Sequence, residues 1–600
     1  MKNKVKIALA SPKIRLCDPN YNVKKCIEAA VAADRAGADI ILFPELSLTG
    51  ATAGDLYFQE TLISAAESAL CEYVRATSNI SIMSFIGVPV SVGSALYNGV
   101  AAVSEGEILG ITASGAASRW FDSISSAGKY AVINGKKIEV ARDLIYTDED
   151  TRANIFVKVG EDNAFSRDGV NLILNPVAMA EYIGLAAARR SYAKDVSSAL
   201  GIPFVIAGAS DGESGTDGIY AGPRLVCVCD EIVAESALFE DEILYADIDI
   251  TKRKPRNNKE PAQSEDVLKH PFVPADPREL AEACELALDL QSRALAGRIE
   301  RSYSKTAVIG VSGGLDSTLA VLVAARAMDI LGRERKSVIA ITMPCFGTTE
   351  RTKSNALALA CELGCSVRTI DIKAAVGQHF KDISHNDDKY DVVYENAQAR
   401  ERTQILMDIA NAESGLVVGT GDLSELALGF ATYNGDHMSM YSVNASIPKT
   451  LMRKIIAHVA NVASNDGEEK LSSVLRDVID TPVSPELLPI TDGENHQHTE
   501  SIVGPYELHD FFLYYTVKYG YSPRRVFDLA RAAFTEYDSA EIKKYLDVFV
   551  RRFYSQQFKR SCMPDGPRVT EISLSPRGAW QMPSDVSANI WHDNVNNIEL

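Results

Sequence analysis

At 600 residues, 46% of them hydrophobic and 24% charged, the chain can hold several domains or two large ones and has an ordinary globular make-up. A formal net charge of -19 argues against a non-specific nucleic-acid binder or a protein held on an anionic membrane, though not against a local basic pocket. No run of 18 apolar residues occurs, so no membrane span is expected.

The N-terminal stretch reaches Pro12 and Lys13 without a long apolar run, so it reads as a first strand and not as a signal peptide. Residues 1–250 then alternate strands and helices. Strands are expected at 5–10, 39–43, 80–87, 96–103, 107–112, 155–159, 171–175, 203–208 and 224–229. Residues 22–37 read as an amphipathic helix ending at Gly37. Glu105-Gly106 marks a hairpin, so the α/β pattern contains antiparallel neighbours. Phe43-Pro44 ends a buried strand and leaves Glu45 beyond it. The strand at 155–159 stops at Gly160, followed by Glu161 and Asp162.

Cys227 and Cys229 are expected on one face of a strand. A zinc site there would need ligands that the neighbouring sequence does not offer. Ten scattered cysteines suit a reduced, cytoplasmic compartment. Residues 251–266 are charged and contain two prolines, which reads as a linker or arm. The expected domains are therefore 1–270 and 271–600.

A long helix is expected from about 276 to 300. The apolar strand 307–311 then carries Gly310 and Val311 into Ser312-Gly313-Gly314-Leu315-Asp316-Ser317, and a helix follows. The glycines permit a tight turn, and N–H groups at the helix start can cradle phosphate oxygens. Asp316 would repel phosphate by itself, which points to a magnesium ion between them. The bland alternative is a glycine-rich turn with an Asp near a helix start. The string lacks the G-x-x-x-x-G-K-[ST] form of a P-loop. Cys361 and Cys365 read as packing residues one helical turn apart.

Further along, Leu416-Val417-Val418 runs into Thr420-Gly421-Asp422, a strand end where α/β sheets bind ligands. Glu425 follows on the next helix. Arg400, Arg402, Lys449, Arg453, Lys559 and Arg560 lie amid apolar, glycine-rich segments, a pattern that suits a local anion pocket. Any one of them could instead be a solvated surface cation. Residues 490–502 have little apolar content and read as a lid, with His496 and His498 as loop histidines. The tail from 500 is expected to be largely helical before an irregular stretch at 575–585.

These motifs together resemble the glutamine-dependent NAD+ synthetases, over nearly the whole chain. They are SGGLDS (312–317) and the segments at 342–356, 394–404, 419–441, 444–453, 481–489, 503–515, 557–568 and 573–580. The resemblance implies an N-terminal nitrilase-like α-β-β-α sandwich and a C-terminal Rossmann-like ATP pyrophosphatase domain of the N type. It implies that ATP adenylates deamido-NAD, pyrophosphate leaves, and ammonia displaces AMP to give NAD+. Gly310 to Ser317 and Thr420 would bind ATP. Asn396, Glu425, Phe430, Ala431, Thr432, Tyr433 and Lys559 would bind deamido-NAD. Asp316 and Glu425 would hold Mg2+ and, with Lys449, serve catalysis. Homo-oligomers, often octamers, are implied as well.

The resemblance also implies a Glu–Lys–Cys glutaminase triad. Glu45 matches its first member, but Ser114 stands where the lysine should be and Gly160 where the cysteine should be. Ser166 lies several residues past the strand end and would need a different approach. Glycine offers no nucleophile, and a hydroxyl lacks the acidity that makes cysteine useful. The expectation is amidation of deamido-NAD with free ammonia or ammonia from a separate protein. Three alternatives stay open: the same reaction with glutamine, amidation of a related carboxylate, and a non-catalytic nucleotide-binding scaffold.

Overall fold

The computed structural model describes residues 4–161, 168–251, 267–347, 350–386, 388–481 and 504–600. Ser166, most of the expected arm at 251–266 and the expected lid at 490–502 with His496 and His498 lie outside them. The chain divides into two compact units. Unit 1 comprises Met1–Ser214 and Ile219–Gln263, and unit 2 comprises Gly215–Gly218 and Ser264–Leu600.

Unit 1 contains α1 (Pro19–Arg35), α2 (Glu60–Ala76) and α3 (Leu185–Leu200). Its strands are β1 (Lys4–Leu9), β2 (Ile40–Leu42), β3 (Met83–Val92), β4 (Ala95–Ser104), β5 (Glu107–Ala113), β6 (Lys129–Ile133) and β7 (Lys136–Ala141). They continue with β8 (Ile145–Asp148), β9 (Ala153–Val157), β10 (Leu172–Val177), β11 (Phe204–Gly208), β12 (Arg224–Val228), β13 (Glu231–Glu235) and β14 (Leu244–Asp249). One sheet runs β14-β1-β2-β3-β4-β5-β7-β6 and the other β13-β12-β11-β10-β9-β8.

Side-chain alternation fixes how these layers stack. Val5, Ile7 and Leu9 of β1 join Ile155, Val157, Leu172, Leu174, Val205 and Val226 in one buried cluster, which is the space between the sheets. Ala8 and Ile41 face the other way, onto Val23, Ala30, Ala66 and Tyr73 of α1 and α2. The outer face of the second sheet buries Phe156, Ile173, Phe204 and Leu225 with Ala193 of α3. The order helix, sheet, sheet, helix is thus an α-β-β-α sandwich.

Some local expectations need correction. The β6–β7 hairpin was not anticipated, yet it turns on Asn134-Gly135 with φ of +47° and +74°, the strongest short hairpin signal. Cys229 does not share a strand face with Cys227. It follows β12 in a left-handed turn at φ +58°, and the Cys227 thiol donates to its carbonyl oxygen at 3.2 Å.

Unit 2 begins with α4 (Pro277–Arg301), whose N-cap Asp276 accepts from the Arg278 and Glu279 N–H groups. It continues through β15 (Ala307–Gly310), α5 (Leu315–Ile330), β16 (Val338–Thr342), α6 (Glu350–Glu362), β17 (Ser366–Thr369) and α7 (Lys373–Asp382). Next come α8 (Val392–Ala412), β18 (Leu416–Gly419), α9 (Leu423–Leu428), β19 (Tyr441–Ser442), α10 (Lys449–Asn465) and α11 (Glu469–Ile479). The tail carries α12 (Tyr506–Tyr519), α13 (Pro523–Ala533) and α14 (Ser539–Ser555). Cys361 ends up exposed near the end of α6, while Cys365 is buried beyond it.

All five strands of this sheet are parallel, in the order β17-β16-β15-β18-β19. The order reverses between β15 and β18. In open α/β sheets the crevice for a ligand lies at that switch, beyond the carboxyl ends of the two strands. The two loops that leave those ends are Ser312–Gly314 and Thr420–Asp422.

Candidate active site at the sheet switch point

The first loop is held by glycine. Gly313 has φ +90°, and a Cβ there would lie 2.1 Å from the Thr352 carbonyl oxygen. Only glycine lets the loop pass this close to α6. The Ser312 and Ser317 hydroxyls lie 3.3 Å apart, and the Ser317 hydroxyl also donates to the Gly314 carbonyl at 3.2 Å. A Cβ on Gly310 would sit 3.0 Å from Leu406 Cδ1, so that strand end packs closely on α8.

The second loop is tied to the first by Asn444, a buried residue. Its Nδ2 donates to the carbonyls of Asp316 and Thr420, each at 3.0 Å. Gln291 of α4 in turn donates to Asn444 Oδ1 at 2.9 Å and to the Val443 carbonyl at 3.0 Å. Neither residue was among the expected site residues. The Asn444–Asp316 and Gln291–Asn444 contacts each span more than a hundred residues, so sequence spacing alone does not announce them.

At the centre lies Lys449, the first residue of α10. Its Nζ is 2.6 Å from Asp316 Oδ1, 2.5 Å from Asp422 Oδ2 and 3.0 Å from Glu425 Oε1. Burial alone would lower its pKa, but Asp316, Asp422 and Glu425 outweigh that and raise it. Burial pushes Glu425 up to about 7, helped by the Asp316 charge and opposed by Lys449. Asp422 is raised for the same primary reason. A second buried carboxylate, Asp510, fastens the α10 start by accepting from the Thr450 N–H at 3.1 Å and the Thr450 hydroxyl at 2.7 Å. It also accepts from Ser424. Burial raises it to about 6.

Asp316, Asp422 and Glu425 are the one group among the described residues that could ligate a metal, with ligand atoms within 4.8 Å of one another. Hard carboxylate oxygens suit Mg2+. Of the three, Asp422 was not among the expected ligands. Asp-x-x-Glu at a helix start is a readable signal: Asp422 caps α9 by accepting the Glu425 N–H at 2.8 Å.

The expected deamido-NAD residues come together beyond α9. Thr432 donates its hydroxyl to Asn396 Oδ1 at 2.8 Å. Tyr433 stacks on His437 at 5.1 Å and tilts against Phe558 at 5.5 Å. Lys559 Nζ donates to the Gly429 and Ala431 carbonyls at 2.7 and 2.6 Å, and the Arg552 guanidinium lies over the Phe430 ring.

Each of the six cations of the expected anion pocket has a protein acceptor. Arg560 is fully buried and donates to the Leu426, Ala427 and Phe553 carbonyls, so it closes the end of α9. Burial brings its pKa down to about 10. Arg400, Arg402 and Arg453 donate to the carbonyls of Tyr433, Met343 and Ile479. Ile479 ends α11, where a helix leaves carbonyls unpaired, and Arg453 supplies a donor there.

In unit 1, Glu45 and Gly160 do face each other. Gly160 has φ +60°, and a Cβ on it would fall 2.7 Å from Glu45 Oε2. Glu45 accepts from Asn98 Nδ2 at 3.2 Å. Burial raises it to about 7, partly offset by Asn98 and the Ala178 backbone. Ser114 is hydrogen-bonded to other groups. Its N–H donates to the Asn98 carbonyl at 2.9 Å, and its hydroxyl accepts from the Ala116 N–H. Lys158, a buried lysine two residues before Gly160, donates to the Gly160 carbonyl at 2.7 Å.

Both halves of the chain are similar to known proteins. The NAD synthase family matches residues 289–533, and the carbon-nitrogen hydrolase family matches residues 6–131. The glutamine-dependent NAD(+) synthetase of Mycobacterium bovis is 34% identical, covering 98% of this chain and 97% of that protein. The enzyme of the same description from Aquifex aeolicus is 26% identical over 91% of this chain and 93% of its own. The crystal structure of a glutamine-dependent NAD(+) synthetase from Cytophaga hutchinsonii shares the fold, with a TM-score of 0.80 at 20% identity and 99% coverage of both chains.

Proposed function

The chain belongs to the glutamine-dependent NAD(+) synthetase family, and from that premise we propose that unit 2 amidates deamido-NAD to NAD+ at the β15–β18 switch point. The observation that carries this is Lys449, buried among three carboxylates where the SGGLDS and TGD loops meet.

The nicotinate carboxylate oxygen attacks the α-phosphorus of ATP, and the bond to the bridging oxygen breaks, releasing pyrophosphate. Ammonia then attacks the acyl carbon, the bond to AMP breaks, and the nitrogen loses a proton. Asp316 and Glu425 would hold Mg2+, which neutralises phosphate charge when bound. The Ser312–Ser317 turn at the start of α5 would receive the phosphates, with Thr420 on the opposite lip. Asn396, Phe430, Ala431, Thr432, Tyr433 and Lys559 orient the dinucleotide. Lys449 supplies a fixed positive charge that needs no reorganisation as negative charge develops.

The relatives bear on the nitrogen donor. They are glutamine-dependent enzymes, which favours glutamine over the free ammonia expected from the sequence. One observation supports the second reading, ammonia from solvent or from a separate protein: position 160, opposite Glu45, carries no side chain. The experiment is NAD+ formation by the purified full chain from deamido-NAD and ATP, with glutamine or with ammonium. Turnover with glutamine, free of contaminating ammonia, supports the first reading. Turnover with ammonium alone supports the second, and no NAD+ with either donor overturns both. A homo-oligomer, from the resemblance, and a cytoplasmic location, from the scattered cysteines, are further proposals, checked by light scattering and by cell fractionation. No described helix is long and apolar enough to cross a membrane.

A further inference from the structure

Asp422 differs from its two acidic neighbours. Its side chain is 0% exposed, whereas those of Asp316 and Glu425 are 24% and 21% exposed. Both of its oxygens face protein donors. Oδ1 accepts the Glu425 N–H, and Oδ2 meets the Lys449 ammonium. A cation arriving from solvent reaches Asp316 and Glu425 first.

We infer that Asp422 is not a metal ligand but the positioning residue of the site, holding Glu425 through its backbone and Lys449 through its charge. Its meaning for catalysis rests on the synthetase reading above. Lysine has a flexible four-carbon stem and a compact, strongly hydrated charge. Asp316 and Glu425 alone would release that charge once a divalent cation drew on their oxygens. A buried third carboxylate, beyond the reach of the ion, keeps the ammonium aimed at the crevice. A carboxylate with no access to solvent survives only when it is paired and hydrogen-bonded, and Asp422 is both.

The test uses the full chain and Mn2+, whose binding is read directly by electron paramagnetic resonance. Asp422→Asn keeps the size and the helix-capping oxygen and removes the charge. It should bind Mn2+ within about threefold of wild type, whereas Asp316→Asn should lose about tenfold or more. With deamido-NAD, ATP and saturating ammonium, Asp422→Asn should lower kcat about 10- to 100-fold and leave the KM for ATP nearly unchanged. Equal loss of Mn2+ affinity in the two variants, or an unchanged kcat in Asp422→Asn, overturns the inference. Should Asp422→Asn fold poorly, Asp422→Asn combined with Lys449→Met removes both buried charges. Its kcat should match that of Lys449→Met alone, because Asp422 acts through the lysine; additive losses overturn the inference. Were the wild type to make no NAD+, the synthetase reading would fall, and the Mn2+ comparison would still decide whether Asp422 is a ligand.

Discussion

Glu45 occupies the space that a side chain at Gly160 would need: a Cβ built on Gly160 lies 2.7 Å from Glu45 Oε2. Position 160 is therefore directed at the carboxylate, and its left-handed backbone at φ +60° suits glycine better than any other residue. The glycine and the glutamate fit each other as they stand.

Gly160→Ala should accordingly destabilise the protein by about 1–2 kcal/mol, from left-handed strain plus the crowded contact. Combining it with Glu45→Ala should recover the contact part and leave the backbone part. Urea denaturation of the two single variants and the double variant measures the coupling. Additive effects would show that the two residues do not touch.

Stability should also respond to pH through Glu45. Its folded value of about 7 lies above the ordinary 4.5, so the folded state holds the proton more tightly than the unfolded chain. Stability from this group is full below about 4.5, falls as pH rises through 7, and is level above that. Glu45→Gln should remove the effect and be the more stable protein at pH 8 by about 2 kcal/mol. Thermal melts of both proteins at pH 5 and pH 8 check this. A gap of the same size at both pH values would count against it.

Removing the central cation should have the opposite pH signature. Lys449→Met leaves three carboxylates facing one another, with a cost of about 3 kcal/mol at pH 8. Burial raises Asp422 and Glu425 and Lys449 opposes that rise, so the loss should shrink as pH falls and these carboxylates take up protons. Added Mg2+ should restore part of the stability at pH 8. Denaturant titrations with and without Mg2+ at two pH values give the comparison.

The glycine of the first loop should tolerate nothing larger. Gly313→Ala places a methyl group 2.1 Å from the Thr352 carbonyl, and the backbone of α6 cannot yield as a side chain would. We expect a loss of about 2–4 kcal/mol in stability and weaker ATP binding, measured by calorimetry. Gly314→Ala is the control. Its φ is -89° and its nearest neighbour is the Ser312 hydroxyl at 3.4 Å, so it should cost less than 1 kcal/mol relative to wild type.

Much of the architecture was legible because its signals are local. An apolar run followed by Gly-Gly and Asp reads as strand, tight turn and helix start, and Ala307–Gly310 and Leu315–Ile330 form those elements. Asn134-Gly135 carried an equally local signal, and the β6–β7 hairpin could have been read from it. Asp316, Glu425 and Lys449 were readable as candidates, since each stands in a motif of unusual composition.

Their relations were not readable. Sequence placed Lys449 and Arg560 together among six candidate cations for an anion pocket, with a catalytic role expected of Lys449 alone. Folding set Lys449 among three carboxylates and Arg560 among three carbonyls, because what a charge meets in the interior depends on chain segments far away in sequence. The same holds for Asn444 and Gln291, whose amides join two loops across more than a hundred residues. Residue type and spacing determined which chemistry the chain could hold. Only the parallel strand order, with its reversal between β15 and β18, decided which of those groups share one buried space. In that space low dielectric makes each pairing strong and each unpaired charge costly.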